Sequence, residues 1–194
     1  MPLLHTNQTA RTLHALLDEV TTMNRWTGKT WALGTCWLVG LASLVIAAPS
    51  AQGQPAGFSW NFATNGFVPS GAIVGGWEPG RTLYVCHGWY GGGLHPGKIV
   101  GNNCNIGWGG KEITLNSYEV LVGDNTRVRW VDASYGGIPA GAISGGYEAG
   151  RPNLFVCRVA YYGWQPGKIV GQNCNFGYGG DEKVSPYYQV LVTP

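Results

Sequence analysis

Gly71–Arg81 reads GAIVGGWEPGR, and Gly141–Arg151 reads GAISGGYEAGR. Pro96–Glu112 reads PGKIVGNNCNIGWGGKE, and Pro166–Glu182 reads PGKIVGQNCNFGYGGDE. Each copy then closes on an aromatic β-prone run, SYEVLV at Ser117–Val122 or YYQVLV at Tyr187–Val192. The chain is therefore a tandem duplication, and its copies form a two-row alignment. Positions that hold while their neighbours drift answer to a demand felt in both copies.

Around these blocks, glycine and the large aromatics are abundant and charges are scarce: 32 Gly, 9 Trp and 10 Tyr among 194 residues, with 11% charged. Such a composition, without long helical periodicity, predicts short strands joined by tight turns. Leu83–Cys86, Ile99–Val100 and Tyr118–Val122 read as strands, as do Leu154–Cys157, Ile169–Val170 and Tyr188–Val192. Pro79-Gly80, the Gly91 to Gly93 run, Pro96-Gly97 and Pro166-Gly167 read as the turns between them. The copies meet at Gly123-Asp124-Asn125, too short for a flexible linker, so the halves should pack together. The expectation is an all-β pair of pseudo-symmetric repeats, 54–123 and 124–194. The net charge of +2 carries no basic cluster, which argues against nucleic acid as a partner.

Residues 1–53 read as a leader and signal peptide. Trp31–Ala48 is almost unbroken apolar sequence, with Arg25 and Lys29 before it and Ala51-Gln52-Gly53 after it. Cleavage is expected near Gly53, and Met23 reads as the biological start. The competing reading is an uncleaved anchor, since eighteen apolar residues just span a bilayer. Cleavage would leave no membrane attachment and a secreted or extracytoplasmic protein. Cys36 would be lost with the signal, leaving Cys86, Cys104, Cys157 and Cys174. Four cysteines allow three pairings; repeat symmetry favours Cys86–Cys104 with Cys157–Cys174, and four buried thiols are the alternative. No CxxC or HxxxH spacing suggests a metal, and no cofactor motif is present.

Four pairs of charged residues match across the copies: Glu78/Glu148, Arg81/Arg151, Lys98/Lys168 and Glu112/Glu182. The first and third pairs follow what read as turns, placing a carboxylate and an ammonium on loops. A carboxylate accepts and an ammonium donates, so together they satisfy neighbouring sugar hydroxyls. Trp77, Tyr147, Trp89 and Trp164 stand near them in sequence as candidates for stacking on a sugar ring. The plainer reading of Glu78 with Lys98 is a surface ion pair contributing under about 1 kcal/mol. Arg81/Arg151 and Glu112/Glu182 read as structural, pinning turns. His87 and His95 face Arg158 and Gln165 in the second copy and so fail the two-copy test. No GxSxG, HExxH or Walker motif is present, and the chain reads as a non-enzyme.

The ordered blocks GAI-x-GG-aromatic-E-x-G, L-aromatic-V-C, PGK, C-N-x-G-aromatic-GG-x-E and aromatic-x-VLV resemble the DM9 repeat family, twice over, from about Trp60 to Val192. The resemblance implies tandem β-sandwich repeats. It also implies similarity to mannose-binding lectins that act as pattern-recognition factors. In those lectins the acidic residue after the Gly-Gly-aromatic motif and the lysine of PGK contact the sugar; here these are Glu78 with Lys98 and Glu148 with Lys168. The lectins carry aspartate at the acidic position, and the extra methylene of glutamate moves the carboxylate outward by about one bond length. Many animal members also lack a signal peptide and paired cysteines, which this chain has. The expected ligands are therefore glycans or glycoconjugates, bound at two sites per chain or four in a homodimer. A structural or protein-interaction module, using Trp89, Tyr90, Tyr161 and Tyr162, is the alternative.

Overall fold

The computed structural model describes residues 55–194; the leader, the signal peptide and the Met23 start lie outside the described residues. Copy one contributes β1 (Ser59–Thr64), β2 (Val74–Glu78), β3 (Arg81–Tyr90), β4 (Gly93–Val100), β5 (Asn103–Trp108), β6 (Lys111–Leu115) and β7 (Ser117–Val122). Copy two contributes β8 (Arg129–Ser134), β9 (Val156–Ala160), β10 (Trp164–Val170), β11 (Asn173–Tyr178), β12 (Asp181–Ser185) and β13 (Tyr187–Val192). The described residues hold no α-helix, and a 3-10 turn at Asn125–Arg127 joins the copies. The fold is all-β, as the composition predicts.

The sheet order is β1-β7-β3-β4-β5-β6-β12-β11-β10-β9-β13-β8. It reads the same from both ends, with the Lys111–Asp181 pairing of β6 and β12 at its centre. At this seam the main chains exchange Glu112 N to Gly180 O (3.0 Å) and Glu182 N to Gly110 O (3.1 Å). Glu112 and Glu182 reinforce the exchange through side chains that accept from the amides of Gly180 and Gly110, each at 2.9 Å.

One strand departs from this path. β2 pairs with β3 of its own copy and, through Trp77 and Trp164, with β10 of the other. The matching segment of copy two does the same in reverse: Leu94 N donates to Tyr147 O at 2.8 Å, and Tyr147 N to Leu94 O at 2.9 Å. Each repeat thus lays its Gly-Gly-aromatic segment on the other repeat's Pro-Gly-Lys strand. Gly75-Gly76 and Pro96-Gly97, read from sequence as turns, lie inside β2 and β4. The reason is contact. A Cβ on Gly76 would meet the backbone of Trp164, and one on Gly146 the backbone of Leu94. Glycine is required there for close approach of two chains, as distinct from the positive-φ glycines Gly80 and Gly91 in the turns.

Among the described residues three clusters form the core. One lies within each copy, around Val120 with Ile106 and around Val190 with Phe176. The third is shared: Ile73, Val85 and Leu121 pack with their counterparts Ile143, Val156 and Leu191. Fully burying one such side chain contributes about 1.5–3 kcal/mol, so the shared cluster holds the copies together. The short joint is pinned too. Asp124 accepts from Thr126 N at 2.8 Å, and Asn125 bonds Val74 N and Ala72 O.

Both symmetric disulfides form, Cys86–Cys104 and Cys157–Cys174. The first links β3 to β5 across β4, and the second links β9 to β11 across β10. Each staple therefore brackets the strand that carries Lys98 or Lys168.

Candidate functional site

Lys98 and Lys168 do not stand on loops. They occupy mid-strand positions in β4 and β10 and are each 1% exposed. The Pro-Gly pair before them continues the strand, so the lysine inherits the burial of the strand. A buried ammonium needs partners, and the opposite repeat supplies them.

At site one, Lys98 Nζ donates to Gln165 Oε1 of copy two. Gln165 Nε2 in turn donates to Glu78 Oε2 at 3.4 Å, and Glu78 Oε2 lies 4.0 Å from Lys98 Nζ. Glu78 also pairs with Arg81 at 3.2 Å. The Tyr178 ring, again from copy two, lies 5.1 Å from the ammonium. Burial pushes Lys98 below the ordinary lysine value, while Glu78 and Glu112 pull it back up. These groups open onto a pocket of about 380 Å³ lined by Glu78, Lys98, Asn105, Glu112, Tyr178 and Gly179, among others. Pockets that take small ligands run about 300–1,000 Å³.

Asn105 stands out on that wall. Its Nδ2 donates to Glu112 Oε1 at 2.9 Å, which fixes the amide and leaves Oδ1 buried with no protein donor. An orphaned buried acceptor costs free energy until a donor arrives. The pocket thus holds an unmet acceptor, two carboxylates, an ammonium and an aromatic face.

Site two repeats the plan with one exchange. Lys168 Nζ donates to Gly107 O at 2.8 Å and to His95 Nδ1 at 2.9 Å. His95 occupies the place that Gln165 holds at site one. Glu148 Oε2 lies 3.7 Å from His95 Nδ1, and Glu148 pairs with Arg151 at 2.8 Å. Burial depresses Lys168 to about 8, against the pull of Glu148 and Glu182. Asn175 donates to Glu182 at 2.9 Å, matching Asn105 and Glu112.

Of the four sequence-selected residues, Glu78 and Lys98 meet at 4.0 Å, whereas Glu148 and Lys168 are brought together through His95. The stacking candidates do not line the Glu78–Lys98 pocket; its ring is Tyr178. Side chains alternate along a strand, so with Glu78 turned inward, Trp77 points out and is 53% exposed. Tyr147 meets Trp89 edge-on at 5.7 Å, Trp89 lines a separate pocket of about 520 Å³, and Trp164 lines one of about 460 Å³. Trp164 and Trp130 hold the Arg158 guanidinium between them, at 4.5 and 4.3 Å.

Sequence reasoning missed Gln165, His95, Asn105 and Tyr178. Asn105 and Asn175 carried a signal, being identical across the copies, but the comparison weighed charged residues alone. His95 and Gln165 differ in the same column, and that column supplies each site from the other repeat. Among the described residues no group of three or more His, Cys, Asp or Glu could hold a metal ion. No helix among them is long and apolar enough to cross a membrane.

A family model described as the DM9 repeat matches residues 44–103 and 78–185. Among solved structures, the crystal structure of the nematode sperm cell motility protein MFP2B is similar, with a TM-score of 0.53 at 17% identity. The match covers 71% of this chain and 47% of that one, so this chain spans about half the length of that protein. At such identity the likeness is one of fold. No curated protein sequence matches the chain.

Proposed function

This chain belongs to the DM9 repeat family, and from that premise we propose that it is a secreted, lectin-like protein whose two sandwich-like repeats each contribute a glycan site. One observation carries the reading. In the Glu78–Lys98 pocket a buried Asn105 Oδ1 lacks a donor beside two carboxylates, an ammonium and the Tyr178 ring. A sugar's vicinal hydroxyls match this set: one donates to Asn105 Oδ1 or a carboxylate, another accepts from Lys98, and a C–H face covers Tyr178. The roles given to these residues are binding roles, and the proposal is accordingly of a binder in place of an enzyme. Mannose-type glycans are the first candidates, by resemblance to lectins of the family. The two disulfides suit export. Two weak sites per chain, or four in a homodimer, would gain avidity on a dense glycan surface.

Calorimetric titration with methyl α-mannoside and a panel of other glycosides tests this. Wild type should bind with millimolar to micromolar affinity, and Lys98→Ala/Lys168→Ala should lose binding by tenfold or more. Absence of glycan binding, or a double variant that binds like wild type, refutes the reading. Protein docking through exposed rings such as Trp89 and Tyr162 would then be the alternative.

A further inference from the structure

Each site is completed by the other repeat, and the completing residue differs: Gln165 at site one, His95 at site two. We propose that these two positioning residues make the sites chemically unequal, so that site one works across acidic and neutral pH while site two closes when His95 takes up a proton. The inference rests on the glycan-site reading above and assigns a regulation to it.

Gln165 is the simpler case. Its Oε1 accepts from Lys98 and its Nε2 donates to Glu78, so one neutral amide orients both binding groups. An amide has no proton to gain between pH 4 and 8, so Gln165 keeps the same hydrogen-bonding roles across that range.

His95 sits among many charges. It is faced by Lys168 from β10, by Glu148 with its partner Arg151 from the segment after Gly141, by Glu182 from β12, and by the carbonyl of Tyr90 from β3. Its Nε2 lies 3.0 Å from Tyr90 O, which only accepts, so Nε2 carries the proton. Nδ1 is then a lone pair, and it accepts from Lys168 at 2.9 Å. A second proton would land on Nδ1. It would place N–H against N–H at the Lys168 bond and add a positive charge beside the ammonium. The carboxylate of Glu148, 3.7 Å from the same nitrogen, is the acceptor that a charged Nδ1–H would capture. Protonation thus transfers Nδ1 from Lys168 to Glu148, and both Glu148 and Lys168 lose their placement for a ligand.

Burial and Lys168 together hold His95 below the ordinary histidine value of 6.5, against the pull of the Tyr90 carbonyl, Glu148 and Glu182. The neutral form is therefore the resting state at neutral pH, and the transition lies on the acid side of 6.5.

The test has two arms on the disulfide-bonded mature protein. In the ligand-free arm, the Lys168 side-chain resonances, assigned by Lys168→Met, are followed by NMR from pH 7.5 to 4.5. They should titrate together with the His95 ring in wild type and lose that titration in His95→Gln, a substitution that copies the Gln165 arrangement. In the ligand arm, calorimetry with methyl α-mannoside should give two sites at pH 7.5 and one at pH 4.5. His95→Gln should keep two at both, and Gln165→His should lose binding at both sites in acid. Lys168 resonances that ignore His95, or two wild-type sites at pH 4.5, overturn the proposal. If the glycoside binds at no pH, the glycan reading falls on its own, and the lysine resonances still decide whether His95 switches the site.

Discussion

Gly76→Ala tests the exchange of strands between the repeats. A Cβ at Gly76 would sit 2.8 Å from the carbonyl carbon of Trp164 and 2.9 Å from its Cβ. Relaxed carbon contacts lie at about 3.5–4.0 Å, so the chains must part by roughly 1 Å at the point where β2 crosses β10. The nearest obstruction is the Trp164 carbonyl oxygen, and backbone has no rotamer to yield. The cost belongs at the top of the usual overpacking range, about 3 kcal/mol, or a fall in Tm of about 6–12 °C for a chain of this size. Gly146→Ala meets the Leu94 backbone and should cost the same. Gly80→Ala is the control. It meets no atom within 4 Å but has φ +86°, so only left-handed strain of about 1–2 kcal/mol applies. Urea denaturation at constant m-value reads all three. If Gly76→Ala and Gly146→Ala cost no more than Gly80→Ala, the repeats do not pack as described.

Removing one staple with Cys86→Ala/Cys104→Ala should cost about 3 kcal/mol on loop-closure grounds. Cys157→Ala/Cys174→Ala should match it within about 0.5 kcal/mol, since the separations are 18 and 17 residues; a large difference in urea midpoints would contradict equivalent roles. Lys168, depressed to about 8 from 10.5, holds its proton less firmly folded than unfolded. Its contribution to stability therefore grows as pH climbs from about 8 toward 10.5 and is lost as pH falls back through 8. The urea midpoint of wild type relative to Lys168→Met should rise across that interval, and a flat difference would refute the assignment.

Local features were legible in the sequence. β-branched and aromatic runs marked strands such as β7 and β13, and cysteine symmetry marked the staples. The persistence of Glu78 and Lys98 through drift marked residues that do meet. Non-local features left no local sign. Gly-Gly before an aromatic looks the same whether it bends the chain or admits a second backbone, and only the position of Trp164 O distinguishes them. The two-row comparison also assumed that each copy builds its own site. His87 and Arg158 illustrate the cost of that assumption. They differ in sequence, yet His87 lies 2.6 Å from Gly145 O and Arg158 reaches Gly75 O at 3.5 Å. Each also lies against a tryptophan at matching positions, Trp60 or Trp130. A column that changes identity keeps its task.

The crossed strands also set an order of events in synthesis. Glu78 and Gln165, which share site one, are 87 residues apart. A ribosome covers that distance in roughly 4–17 s at about 5–20 residues per second. From Val122 to Gln165, the last 43 residues of that stretch, the first repeat has its cysteines and most of its core but lacks the strand on which its own β2 must lie. Lys98 meanwhile waits without its amide partner. The N-terminal half therefore has no finished state of its own to reach early, and both candidate sites are completed together when the last third of the chain arrives.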